Sequence, residues 1–214
     1  RTACSADARD SRLRLGANGP VAATWLMPLV ERMERKFPDL RVEIEVNQSA
    51  TLLRHMGSGQ LDIAFASSES QDSSLKYIPL GSFDMVWIAA PGLFQGCLSD
   101  DDLGRSPIIG YSWDSPIHGS THRPAFGLGR HRRFTQSDSL FMMIRMAVEG
   151  AGLALVPRAA IARELSNRQL EVIEVDNTPT RLPLFCARPR NAANAVITMA
   201  AQYAQEAMNS LPQH

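Results

Sequence analysis

The alternation of strand and helix patterns in the first third of the chain is the feature that most constrains its fold. The short apolar stretch RLRLGA, 12–17, predicts a strand, and apolar residues at the helical repeat follow it between Leu26 and Phe37. The stretch RVEIEVN, 41–47, alternates with period two, ATLLRHM has a helical pattern that Gly57 and Gly59 stop, and LDIAFAS predicts a buried strand. Strands and helices in this order predict a parallel sheet that is covered by helices.

A second unit of the same kind follows. Strand patterns lie at 77–90 and 106–113, and the polar stretch LSDDDLG between them predicts a turn or a short helix. The segment 140–148 has one apolar helical face and ends at Gly-Ala-Gly, after which come the strand LALV and a helix that we expect to open at Pro157. An amphipathic helix between Asn191 and Leu211 closes the chain.

Composition and charge limit the function classes. The 214 residues are 44% apolar, enough for a sizeable core, and 22 basic residues balance 22 acidic ones. The balance leaves no broad basic field for nucleic acid or anionic lipid. The odd number of cysteines, without metal-ligand spacing, favours a reducing compartment and hence the cytoplasm. No apolar run approaches the roughly 20 residues that span a bilayer, and a first residue other than Met predicts a fragment or a processed product.

Three predicted strand-to-helix turns carry residues that favour helix starts. The candidate caps are Asn18 or Gly19 before Pro20, then Ser49, and then Ser137 or Ser139. In a parallel sheet such turns lie at the carboxyl edge of the strands, where open α/β folds bind ligands. Unpaired amides at the positive end of a helix attract anions, so we expect the three helix starts to converge on one cleft. Such turns also need caps without any ligand, and a purely structural role is the alternative for each.

Metal and catalytic sites are weakly indicated. His118 and His122 in HGSTH, with His131 nearby, could bind a metal if the stretch were helical, but its glycine and prolines argue against a helix, and no metal site or cofactor is predicted. The cysteines lack a general-base partner and are interpreted as inert. The basic run RHRRF, 130–134, is typical of a solvated face, with a partner chain or DNA phosphate as the alternative.

The stretches LRLGANGPVAATWLMPLVERMERKFPDLRVEIEVNQSATLLRHMGSGQLDIAFA and SDSLFMMIRMAVEGAGLALVPRAA, with LPLFCARP and a final helix, resemble the effector-binding domain of LysR-type transcriptional regulators. The resemblance implies an α/β fold like the type 2 periplasmic binding proteins, with two Rossmann-like subdomains joined by two crossover strands. It implies that residues 1–11 end a linker helix, that 12–86 plus 187–214 form subdomain I and that 87–186 form subdomain II. The crossovers are expected near Trp87 to Ala89 and Leu184 to Cys186.

The resemblance also implies where a ligand binds. Ser49 matches a position where the family commonly places a Ser or Thr on the acidic group of the effector. The whole set of expected ligand-binding residues is Asn18, Gly19, Pro20, Ser49, Ser67, Ser112, Trp113, Ser115, Ser137 and Asp138. The chain departs from the family at Val21, where relatives often have a small hydroxyl residue, so Asn18 has to supply polarity there. Because Asp138 could favour an amine, a zwitterion, a phosphonate-type anion and a plain carboxylate all stay open.

Three function classes compete. The first is the sensor of a cytoplasmic transcription regulator, a homodimer or homotetramer that binds a small polar or anionic metabolite and reaches DNA through a helix-turn-helix domain absent from this chain. The second is the solute-binding protein of an ABC transporter, which needs export. The third is an enzyme on the same fold, such as a dehydratase, for which Asp138 and Glu69 are the only nearby carboxylates. The resemblance favours the first, without an enzyme activity and without a membrane partner.

Overall fold

The computed structural model of the chain describes residues 12–112, 134–176, 181–191 and 194–211. The expected linker helix at 1–11, the ligand residues Trp113 and Ser115, and the loop-rich region with its three histidines lie outside the described residues.

Strands and helices alternate as the sequence predicts. The strands are β1 Arg12–Ala17, β2 Arg41–Val46, β3 Ile63–Ala66, β4 Leu75–Ala89, β5 Ile108–Tyr111, β6 Phe134–Ser137, β7 Leu153–Pro157, β8 Glu171–Ile173 and β9 Arg181–Pro189. The helices are α1 Gly19–Ala23, α2 Leu26–Lys36, α3 Ser49–Gly57, α4 Asp100–Arg105, α5 Leu140–Val148, α6 Ala162–Ser166 and α7 Ala195–Asn209.

The first half of the sheet has the predicted parallel order. Strand β1 pairs in parallel with β2 on one side and with β3 on the other, and β9 runs antiparallel to β3. The apolar residues of β1 and β3 are buried, whereas β2 is the outer strand and leaves Ile44 and Val46 exposed. The carboxyl ends of β1, β2 and β3 therefore lie at one edge, where α1 and α3 begin.

The long strand β4 joins the two halves of the sheet. Its residues up to Asp84 pair with β9, and from Met85 onward it pairs with β7. In the second half, β5 pairs in parallel with both β6 and β7, so α5 begins at the carboxyl edge of β6. The sheet is therefore mixed, with two α/β halves that share a long strand, an arrangement that agrees with what the resemblance implies.

The core lies on both faces of this sheet. Trp25 meets Phe65 edge to face, with ring centroids 5.0 Å apart, and the small residues Ala200 and Ala204 let α7 approach its neighbours closely. At the surface, the Arg32 guanidinium pairs with Glu206 and lies 3.9 Å from the centre of the Tyr203 ring, which ties α2 to α7. Among the described residues, no helix combines the length and the apolar character that crossing a bilayer requires.

The helical segments after β7 and after β1 differ from the sequence prediction. Pro157 is the last residue of β7 and does not open a helix: a 3-10 turn, Arg158–Ile161, comes first and α6 starts at Ala162. The segment after β1 forms two helices, because Thr24 leaves the helical conformation and donates its hydroxyl to the Pro20 carbonyl at 2.7 Å.

Candidate functional site

A cleft lies where the carboxyl ends of the strands from both halves of the sheet face each other. Its cavity volume is about 60 Å³, and it opens to solvent. The described residues that line it are Asn18, Gly19, Pro20, Asn47, Gln48, Ser49, Ser67, Tyr111, Asp138, Leu140 and Leu182. The turns after β1, β2, β3 and β6 all contribute residues to the lining of this cleft. The predicted convergence of helix starts is therefore present in the molecule.

A buried chain of polar side chains forms the first wall of the cleft. The Asn18 amide nitrogen donates to Ser67 Oγ at 2.7 Å, and the Ser67 backbone amide donates to Ser49 Oγ at 2.9 Å. Asn18 Oδ1 accepts the Val21 amide at 3.2 Å and so caps α1, as predicted. All three polar side chains are at most 5% exposed. We call Asn18, Ser49 and Ser67 the polar wall.

The polar wall keeps unused hydrogen-bond donors. Each serine oxygen accepts one hydrogen bond, and neither hydroxyl proton has an acceptor among the described residues. One hydrogen of the Asn18 amide group is also unpaired within that part of the chain. Since buried donors are normally paired, these groups can hold an acceptor that enters the cleft.

The start of α3 is built differently from the sequence prediction. Ser49 is not the N-cap but the first helical residue, and Gln48 occupies the cap position with φ −68° and ψ 150°. The Ser49 hydroxyl accepts from Ser67 across the turn, and within the described residues no side chain caps the first-turn amides of α3. Those amides remain donors at the positive end of a nine-residue helix, next to the polar wall.

The side chain of Gln48 crosses the mouth of the cleft instead of capping its helix. Its Nε2 donates to Ser112 Oγ at 2.6 Å, which joins the end of β2 to the end of β5. The Gln48 backbone amide is held by Asn47 Oδ1 at 2.9 Å. Ser112 thus belongs to the rim of the cleft rather than to its lining.

The opposite wall contains Tyr111, Asp138 and Leu140. Burial raises the pKa of the Tyr111 hydroxyl well above its ordinary value, so this group is neutral in the folded protein. Asp138 is exposed, and its carboxylate makes no hydrogen bond or ion pair with any described residue. It is the single formally charged side chain among the described lining residues.

Leu140 begins α5, and its N-cap is Ser139, one of the two predicted candidates. The Ser139 hydroxyl accepts the Met142 amide at 3.3 Å. Ser137 does not line the cleft: its hydroxyl accepts the Ser139 amide at 3.1 Å and supports the turn. The two walls come close at Gly19, because a Cβ placed there would lie 3.1 Å from the Cβ of Leu140.

A wider groove adjoins the cleft on its outer side. Its volume is about 560 Å³, and it shares Gly19, Asn47, Gln48, Asp138 and Leu140 with the cleft. Its other walls carry the exposed side chains of Val46 and Phe141. In the described ranges, no group of three or more His, Cys, Asp or Glu side chains is close enough to hold a metal ion.

A family pattern that matches most of the chain identifies the family to which the chain belongs. The pattern of the family described as LysR substrate binding domain matches residues 6–209. The chain belongs to this family. It is an effector-binding domain of the LysR type, a binding module of transcription regulators rather than an enzyme.

Relatives of this LysR domain agree with the assignment. The HTH-type transcriptional regulator ArgP of Vibrio vulnificus is 25% identical over 178 residues, which cover 80% of this chain and 58% of that protein. The chain therefore spans little more than half the length of that relative. The structure of the Synechocystis PCC6803 CcmR regulatory domain in complex with 2-PG superimposes with a TM-score of 0.78 at 18% identity, covering 94% of this chain and 99% of that one. The BenM effector-binding domain with its effector benzoate gives a TM-score of 0.70 at 15% identity, covering 91% and 90%.

The LysR domain brings together six of the residues that the sequence singled out. Asn18, Gly19, Pro20, Ser49, Ser67 and Asp138 line the cleft, Ser112 forms its rim, and Ser137 is excluded from it. Sequence reasoning missed Asn47, Gln48, Tyr111, Leu140 and Leu182. Asn47 and Gln48 stand directly before Ser49 at the end of a strand, a position that could have identified them. Val21, the departure from the family, is fully buried in the core and is not among the described residues that line the cleft.

Proposed function

We propose that the cleft binds a small polar or anionic effector, and that Asn18, Ser49, Ser67 and the start of α3 hold its polar group. The observation that carries this is the polar wall, because buried serine hydroxyls with unused donors are costly unless a partner reaches them. Gly19, Pro20 and Asp138 shape the rest of the site, while Ser112 acts through its bond to Gln48 at the rim.

We propose further that effector binding changes the angle between two subdomains. The boundaries are 12–86 plus 187–214 for subdomain I and 87–186 for subdomain II. The change of pairing partner in β4 between Asp84 and Met85 supports a crossover there, slightly earlier than Trp87 to Ala89. In β9, pairing with β3 begins at Phe185, which supports the second crossover near Leu184 to Cys186. An effector that binds the closed arrangement more tightly shifts the population toward it.

The whole protein is proposed to control transcription in the cytoplasm. Its helix-turn-helix reader would lie in a part of the protein outside this chain, and the regulator would work as a homodimer or homotetramer. The exposed apolar side chains of Ile44 and Val46 on the outer strand β2 favour a covered edge in such an assembly. Sedimentation of the purified domain measures its oligomeric state, and reporter assays with the full reading frame measure the control of transcription.

A thermal-shift screen over small carboxylic acids, amino acids, aromatic acids and phosphonates tests the binding site. For each compound that raises the melting temperature, calorimetry compares the native chain with Ser67→Ala. We expect affinity to fall about tenfold or more, because a hydrogen bond to a charged group is worth about 1.5–3 kcal/mol. Ser58→Ala, the same change at an exposed hydroxyl directly after α3, is the control and leaves affinity unchanged. Ligands that bind equally well to Ser67→Ala would refute the polar wall as the binding site.

A further inference from the structure

We infer that the effector is a zwitterion of the amino-acid type, with its anionic group at the polar wall and its protonated amine at Asp138. The inference rests on the proposed function of the cleft and adds the chemical class of its ligand. It follows from the different chemistry of the two facing walls.

The first wall offers several unused donors to an incoming group. The Asn18 amide hydrogen and the Ser49 and Ser67 hydroxyl protons lack acceptors among the described residues, and the first-turn amides of α3 lack a cap there. A carboxylate has two oxygens with several lone pairs, so it can accept from several of these groups at once. The buried serine donors make this more than a bare helix end, because an uncharged apolar occupant would leave them unpaired.

The second wall offers a charged acceptor. The Asp138 carboxylate lies in the turn between β6 and α5 and makes no ion pair with the described part of the chain. Arg145, the cation of the adjoining groove, is already paired with Glu149 at 3.0 Å. The lining residues that the structure describes include no Lys, Arg or His, so none of these residues compensates the charge of Asp138.

The charge that each possible ligand carries then determines how well it fits the two walls. A plain carboxylate or a phosphonate would satisfy the polar wall but would share the cleft with the like charge of Asp138 and leave that carboxylate without a cation. A plain amine would pair with Asp138 and leave the buried donors unused. A ligand that carries both groups satisfies both walls and brings no net charge into the cleft. The apolar side chains of Leu140 and Leu182 border the remaining space, which the rest of the ligand would occupy.

The experiment uses matched sets of probes. Each of the common L-amino acids is tested by thermal shift and calorimetry beside the acid without its amine and the amine without its carboxylate, for example L-leucine, 4-methylpentanoate and 3-methylbutylamine. We expect at least one amino acid to bind, and both truncated forms of it to bind about tenfold more weakly or worse, since each loses a charge-assisted interaction.

The variant Asp138→Asn identifies the partner of the amine. It should weaken binding of the amino acid about tenfold and leave the affinity of the amine-free acid unchanged or improved, so that the two affinities converge. Glu164→Gln is the matched control, because it neutralises a carboxylate of the adjoining groove that does not line the cleft, and we expect no change in affinity.

The outcomes separate this inference from the proposed function. An amine-free acid that binds as tightly as its amino acid, a preference that survives Asp138→Asn, or the failure of every amino acid at millimolar concentration overturns the zwitterion. In those cases an acid whose binding depends on Ser67 leaves the proposed function standing. Ligands that bind independently of both Ser67 and Asp138 overturn the cleft as the effector site.

Discussion

The hydrogen bond between Ser49 and Ser67 gives a prediction for the stability of the domain that needs no ligand. In Ser49→Ala the Ser67 backbone amide, buried and donating to Ser49 Oγ at 2.9 Å, loses its acceptor. An unpaired buried donor costs about 1–3 kcal/mol. Alanine is the better helix former by up to about 0.5 kcal/mol and offsets part of this loss. We therefore expect a net destabilisation of about 0.5–2.5 kcal/mol.

For a domain of this size, a change of 1 kcal/mol moves the melting temperature by about 2–4 °C, so Ser49→Ala should melt about 1–10 °C lower. Calorimetry or circular dichroism measures the shift, and urea denaturation gives the free energy of unfolding. Ser49→Thr keeps the hydroxyl and should recover most of the loss. Ser58→Ala removes an exposed hydroxyl just after the end of the same helix and should cost less than about 0.5 kcal/mol. Equal losses in Ser49→Ala and Ser58→Ala would show that the Ser67 amide does not depend on Ser49.

Three further predictions concern other parts of the domain. Gly19→Ala adds a methyl group 3.1 Å from the facing α5 side chain, so it should hold the cleft open, lower ligand affinity in calorimetry and leave the melting temperature nearly unchanged. Burial raises the pKa of Cys186 to about 12, so a thiol reagent should label the exposed Cys97 in the folded protein and Cys186 only after unfolding, as mass spectrometry of labelled peptides can show. Burial raises the pKa of Asp62, but its hydrogen bonds from Arg14 outweigh this and hold the pKa below the ordinary value of 3.8. The resulting stabilisation is present above that value and is lost as the pH falls through the lowered pKa, so the stability advantage over Asp62→Asn in urea melts should shrink below pH 3.8.

Periodicity and turn chemistry predicted the alternation of strands and helices in the first half because both depend on local burial. The alternation in β2 and the buried run of β3 indicate which faces lie against the core, and Pro20 limits the cap before it to Asn18 or Gly19, of which the structure has Asn18. Of the two candidates Ser137 and Ser139, the structure has Ser139 as the cap. These parts of the site were accessible from sequence because each involves residues only a few positions apart.

The prediction that Ser49 caps α3 was wrong because the hydrogen-bond partner of its side chain is distant in sequence. A serine at a strand-to-helix turn can cap its own helix or reach a neighbouring strand, and the local pattern is the same in both cases. Here the Ser67 backbone amide, directly after β3, donates to the Ser49 hydroxyl, and Gln48 occupies the cap position. The bond from Gln48 to Ser112 joins residues 64 positions apart, so only the packing of both halves of the sheet reveals it.

The rim contacts have consequences for how the proposed switch could work. The Gln48–Ser112 hydrogen bond is only partly buried, and a bond of this kind contributes about 0.5–1.5 kcal/mol, enough to bias the two halves toward closure but not to lock them. Moving such an equilibrium from 1:99 to 99:1 requires a difference of about 5.5 kcal/mol in effector binding. Two or three charge-assisted hydrogen bonds, each worth about 1.5–3 kcal/mol, supply that difference only if they form in the closed arrangement alone. A ligand that bridges the polar wall and Asp138 meets this condition, because opening the cleft breaks its contacts with one wall or the other. A ligand held by the polar wall alone would bind both arrangements similarly and would shift neither.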